Sequence, residues 1–144
     1  DVCVDVSTAV RFHPAEIIVS LVYKTLLIVS LGISPFAVAS FELLLAASAM
    51  FNHANMRLPG LLDRALRFLI VTPDMHRIHH SIDRLEHDSN YGFFFSFWDK
   101  LFGVYTEHPK TPHIKMLLGL HESREATRVR NLGRLLVAPF VTKI

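Results

Sequence analysis

Two long apolar runs dominate the first third of the chain. From 17 to 34 the run IIVSLVYKTLLIVSLGIS is interrupted only by Lys24 and small hydroxyls, and from 35 to 51 the run PFAVASFELLLAASAMF only by Glu42. Each is long enough to cross a hydrocarbon layer of roughly 30 Å at a helical rise of about 1.5 Å per residue. Gly32, Ser34 and Pro35 separate them; glycine ends a helix at little cost, and proline lacks a donor but starts the next helix readily. The pattern predicts an all-α protein built on a transmembrane hairpin, 17–34 and 35–51. Lys24 and Glu42 are equidistant from Ile33, so a hairpin turning there sets both charges at one depth, where each is costly unless paired. We therefore expect a Lys24–Glu42 contact.

Beyond the hairpin, residues 60–71 read as an amphipathic helix with Leu61, Leu62, Ala65, Leu66 and Leu69 on one side and Asp63, Arg64 and Arg67 on the other. Such a helix lies on a membrane surface. The hairpin tip carries no charge, whereas Arg11, Arg57, Arg64 and Arg67 flank its open end. The positive-inside rule then puts both ends in the cytoplasm. A soluble domain with two core helices is the competing reading, but soluble helices rarely stay apolar on all sides for so long.

Composition agrees with a membrane protein: 51% of the 144 residues are hydrophobic and the mean hydropathy is +0.33. With 19% charged residues and a formal net charge of +2, the chain lacks the dense basic face of a nucleic-acid binder. Cys3 is the single cysteine, so an internal disulfide and a Cys-rich zinc module are excluded. Nine histidines then need an explanation. There is no internal repeat or linker, so 1–144 reads as one domain: hairpin, a cytoplasmic metal-binding cap over 60–106, and a cytoplasmic tail over 107–144.

The sharpest feature is TPDMHRIHH, residues 72–80. Thr72 suits an N-cap, Pro73 the first helical position, and Asp74 the positive end of the helix dipole. A helix starting there puts His76, His79 and His80 at i, i+3 and i+4, on one face, where three imidazoles can converge on a metal. Imidazole serves iron, zinc and copper alike, and the spacing does not choose among them. A lone histidine is more often an ordinary hydrogen-bonding residue, and an HxxHH arises by chance or serves zinc as well. After the box, Asp88-Ser89-Asn90-Tyr91-Gly92 suits a turn whose Asp88 and Asn90 can bond backbone groups or orient imidazoles. Phe93, Phe94, Phe95, Phe97, Trp98, Leu101 and Phe102 form an aromatic run suited to packing and interfacial anchoring. Residues 122–134, ESREATRVRNLGR, read as a charged helical tail with a solvated face able to meet anionic head groups or an electron donor.

HRIHHS followed by HDSNYGFFFSFWDKLFGVY closely resembles the last histidine box and tail of the fatty acid hydroxylase/sterol desaturase superfamily. The likeness runs back through Asn52-His53-Ala54-Asn55 and through Arg11-Phe12-His13-Pro14-Ala15-Glu16, similar to the family's R-x-H-P-x-E segment, and forward through Leu118-Gly119-Leu120. It implies that His53, His76, His79 and His80 match ligand positions of a di-iron centre, with zinc able to take iron's place in purified protein. It further implies an O2-dependent oxidoreductase that hydroxylates or desaturates a fatty acyl or sterol-like lipid. An external cytochrome, ferredoxin or flavoprotein would supply electrons, on the cytoplasmic face of a bacterial inner membrane or the endoplasmic reticulum. The family's two earlier histidine boxes have no counterpart in 1–144, and Asp1 opens the chain without an initiator Met. We expect either a sequence that starts inside a longer protein or a degenerate member. We expect His13 to be structural or to support the ligands, and His87, His108, His113 and His121 to be solvated.

Two other classes stay open. One is a non-catalytic membrane fragment or degenerate homologue with a structural metal or none. The other is a membrane zinc hydrolase, weakened because no Glu lies inside the His76–His80 box to serve as general base. No Ser/His/Asp set, phosphate-binding loop or dinucleotide fingerprint points to other chemistry.

Overall fold

The computed structural model describes residues 3–120 and 132–141. All regular elements among them are helical. A 3-10 turn, Val6–Val10, precedes α1 (Pro14–Leu31) and α2 (Pro35–Asn52); short helices α3 (Gly60–Leu66), α4 (Pro73–His79), α5 (Arg84–His87) and α6 (Phe97–Leu101) follow, and α7 is Leu132–Val141. The expected tail helix over 122–134 falls largely outside the described residues.

The hairpin forms for the local reasons its sequence carries. His13 caps α1, its Nδ1 accepting from the Ala15 N–H, and Pro14 occupies the first turn, so the helix starts ahead of residue 17. Gly32 ends it at φ 63°, a left-handed conformation that glycine adopts without a Cβ clash. Ser34 then caps α2, with Pro35 following. Both helices are long and apolar enough to cross a membrane. No residue of α1 is buried, and the buried residues of α2, Ser48, Ala49 and Asn52, lie toward its C-terminal end. There α2 packs on the 3-10 turn and on α4. The expected ion pair is present: Lys24 Nζ lies 2.6 Å from Glu42 Oε1.

In a lipid setting either partner alone is an uncompensated charge, so Lys24→Met or Glu42→Gln singly should cost about 3 kcal/mol or more, whereas the double variant should recover most of it. Thermal unfolding of the three variants in detergent checks this. Singles no worse than the double would remove the pair from the account of stability.

One boundary differs from expectation. The amphipathic helix predicted over 60–71 stops at Leu66 because the Arg67 carbonyl, which a longer helix would bond to Val71, is taken by Ser96 Oγ at 2.8 Å and Lys100 Nζ at 2.9 Å. The Val71 N–H turns instead to the Phe94 carbonyl, and the Ser96 N–H to Leu69. Arg67, expected on a solvated face, is buried against Asp63 at 2.8 Å and donates to the Glu107 carbonyl. Leu61, Phe68 and Leu69 stay exposed, an apolar strip suited to an interface.

The small core carries α4. Val71, Met75 and Ile78 are fully buried, and so are Asn52, Asn90, Thr72, Ser96 and Asp99. This polar share is high, and buried polar groups are tolerated only when bonded. Asn52 Nδ2 donates to the Phe93 carbonyl at 2.7 Å, tying the end of α2 to the segment after α5. Both oxygens of Asp99 accept from the Gly92 N–H, at 2.9 and 3.0 Å. A Cβ on Gly92 would stand 2.6 Å from Asp99 Oδ2 and 2.9 Å from the Phe95 carbonyl, which explains glycine there.

Candidate metal centre

Thr72 starts the histidine helix as its sequence implies. Its Oγ1 accepts from the Met75 N–H and donates to Asp63 Oδ1 at 2.6 Å, so one hydroxyl caps α4 and fastens it to α3. Arg77 donates to Asp74 at 3.0 Å and to Asn55 Oδ1 at 3.4 Å, holding α4 beside the segment that leaves α2. His53, the C-cap of α2, is thereby brought against α4.

The Nε2 atoms of His53 and His76 are 3.1 Å apart, and those of His76 and His80 likewise 3.1 Å. Ligand nitrogens of all three lie within 4.8 Å of one another. Two nitrogens held about 2.1 Å from one ion at angles of about 90–110° lie about 3.0–3.4 Å apart, and the His53–His76 and His76–His80 spacings both fall in that range. Hydrogen bonding explains it less well, because one Nε2 of His76 cannot satisfy two facing Nε2 atoms with a single proton. Protons are placed elsewhere for His53. Thr8 Oγ1 donates its own proton to the Asp5 carbonyl at 2.6 Å, so its 2.7 Å contact is a bond donated by His53 Nδ1–H, leaving Nε2 with its lone pair. Nothing in the sequence pattern singled out Thr8, whose part depends on contact across the fold.

His79 lies beside this group rather than within it. Its Nδ1–H donates to the Ser89 carbonyl at 2.9 Å, which leaves Nε2 as the atom able to bind a metal. Its ring is 5.6 Å from that of His76 and 5.4 Å from that of His80. Tyr91 stands edge-on to it, and His87 stacks on it at 5.4 Å with planes 13° apart. The expectation of a solvated His87 is therefore corrected: the ring is half-buried and its Nδ1 is sealed off. His113 is corrected in the same way, since it too is half-buried. His108 is exposed, and His121 lies outside the described residues.

The residues expected to support the ligands are placed as follows. Asp88 pairs with Arg84 at 3.2 Å on the surface. Asn90, wholly buried at φ 51°, donates through Nδ2 to the carbonyls of Met75 and Thr106 and accepts from the Thr106 N–H. It bonds the backbone of the histidine helix rather than an imidazole. His13 caps α1, and its Nε2 is 3.1 Å from the Leu136 carbonyl.

Burial keeps these imidazoles neutral, the form in which nitrogen binds a metal. Desolvation pushes His76 down to about 2 and His80 to about 3, with neighbouring imidazoles adding to the shift. Burial also lowers His53 and His79. The folded state thus refuses protons that the unfolded chain accepts below about 6.5. Stability of the metal-free protein should be flat above that pH and fall as pH drops below it, with a slope of up to about 1.4 kcal/mol per pH unit for each such histidine. Unfolding after chelation at pH 7.5 and pH 5.5 measures this; equal stability would mean the imidazoles take up protons in the fold.

The fatty acid hydroxylase family model matches residues 2–104, most of the chain and the whole of the site. The chain belongs to the fatty acid hydroxylase family. No solved structure matches it. Membership fits an oxidoreductase theme and a membrane-associated, lipid-directed role, and the two apolar helices beside the histidines are what such a role needs. The rings of Phe94, Phe95, Phe97, Trp98 and Phe102 form one continuous series of contacts between 4.4 and 6.1 Å in this member of the family.

Proposed function

We propose that this chain is part of an O2-dependent di-iron enzyme of a membrane, hydroxylating or desaturating a fatty acyl or sterol-like lipid. The observation that carries the reading is the convergence of His53, at the end of α2, with His76 and His80 of the histidine helix, the Nε2 of His76 lying 3.1 Å from that of each of the other two. His53, His76 and His80 would hold one metal, and His79 would turn its Nε2 to a second. When bound, iron supplies the oxidising power that O2 chemistry needs against an unactivated C–H bond. Four imidazoles are too few for two irons, and the resemblance assigns the remaining donors to the two earlier histidine boxes.

The chain's own residues supply position and dryness. Thr8 and Ser89 fix the His53 and His79 rings through Nδ1, and Asn90 fixes the helix on which three of the four ligands ride. The apolar α1 and α2 and the aromatic series would offer an acyl chain or sterol ring an apolar surface to lie against. The arginines around the open end of the hairpin favour a cytoplasmic site. Electrons would come from a cytochrome, ferredoxin or flavoprotein.

Metal analysis by plasma mass spectrometry on detergent-purified, natural full-length protein tests this, together with lipid products from O2 and a reducing system. About two irons per chain and an oxidised lipid are expected. Protein without specifically bound metal would favour the non-catalytic homologue, and zinc without lipid oxidation the hydrolase.

A further inference from the structure

A charged groove lies on the other side of the histidine helix. About 1020 Å³ in volume, it is lined by five cationic side chains, Arg57, Arg64, Arg67, Lys100 and Lys110, against three carboxylates, Asp63, Asp74 and Glu107. Several of these charges are already matched: Arg67 pairs with Asp63 at 2.8 Å, Arg57 lies 3.6 Å from Asp74, which also holds Arg77 at 3.0 Å, and Lys110 Nζ pairs with Asp83 at 2.7 Å, so the unmatched positive charge of the groove rests on Arg64 and Lys100. Arg64 is exposed and makes no ion pair among the described residues. Lys100 spends one proton on the Arg67 carbonyl and lies over the rings of Phe68 and Tyr105, at 5.1 and 5.0 Å. His113, also on the wall, has a buried Nδ1 with no hydrogen-bond partner among the described residues. At about 100° per residue, Asp74 faces about 160° away from His76 and about 120° from His80 on α4, so the groove is separate from the imidazole cluster.

The rim is apolar where the walls are cationic. Phe68 is 75% exposed and Ile114 87%, and Leu61 on the adjoining α3 is 83% exposed. A free small anion would match the cations but leave that rim in water. We propose that the groove takes the phosphate of an anionic phospholipid from the adjacent leaflet, with its acyl chains over the exposed face of α3. The site would hold a lipid that is not the one oxidised, and it does not depend on the di-iron reading.

Native mass spectrometry of the full-length protein released from micelles, titrated with phosphatidylglycerol or phosphatidylcholine, tests the proposal. Phosphatidylglycerol should be retained preferentially. Arg64→Glu and Arg57→Glu should each weaken its retention about fivefold or more, whereas Arg84→Glu, on α5 and outside the groove, should not. An unchanged thermal melt in detergent reports an intact fold in the groove variants; if one variant melts lower, the other carries the comparison. Equal retention of the two lipids, or phosphatidylglycerol retention indifferent to both groove reversals, would overturn the site. Displacement of the lipid by glycerol 3-phosphate at matching concentration would overturn the lipid assignment in favour of a soluble anion.

Discussion

Full-length protein carrying His80→Ala is expected to lose at least about 100-fold in metal affinity, and Thr8→Val to fall between it and the parent, at about 10- to 100-fold. The ordering follows from what each side chain does. His80 and His53 both face His76 at 3.1 Å, so removing His80 takes away one of the three nitrogens that converge there. Thr8 holds no metal, but its Oγ1 accepts the His53 Nδ1–H at 2.7 Å and so fixes the tautomer and the ring. Valine keeps the volume and removes the acceptor. Metal content after dialysis against graded chelator gives the comparison. If Thr8→Val matched the parent while His80→Ala lost metal, the imidazole would be positioned by packing alone. If His80→Ala kept its metal, the three-nitrogen site would be the wrong one.

Much of this arrangement is legible before any coordinates. The break at Gly32, Ser34 and Pro35 fixes the hairpin, and Lys24 and Glu42 meet because equal spacing from the turn sets equal depth. Thr72-Pro73-Asp74 starts α4 because capping is local chemistry, so the i, i+3, i+4 spacing of its histidines could be read directly. What was not legible depends on contacts between distant segments. Arg67 continues the period of an amphipathic helix, yet its carbonyl is captured by Ser96 and Lys100, far along the chain, and the helix stops. Thr8 looks like one hydroxyl in a short N-terminal stretch until the chain folds it under His53. Nothing local to His87 marks it as other than solvated, whereas its neighbour in space is the flat face of His79.

The largest effect away from the imidazoles is expected at Asn90. Its side chain makes three bonds to backbone groups of two separate segments: Nδ2 to the Met75 carbonyl at 3.2 Å and the Thr106 carbonyl at 3.0 Å, and Oδ1 from the Thr106 N–H at 2.9 Å. The residue is wholly buried, so water does not readily replace what is lost. Asn90→Ala leaves those groups unpaired and adds the strain of a Cβ-bearing residue at φ 51° that has no local polar compensation. About 3–5 kcal/mol is expected, a large part of the stability of a domain this size, and metal should be lost with it because α4 is no longer pinned. Asn90→Gly separates the two causes, since glycine adopts positive φ freely but restores no hydrogen bond. If the bonds dominate, Asn90→Gly should unfold nearly as easily as Asn90→Ala in a detergent thermal melt, with matching loss of metal. Recovery of parent-like melting in Asn90→Gly would show that asparagine is needed there for its backbone conformation, and that the ties to Met75 and Thr106 hold the histidine helix only weakly.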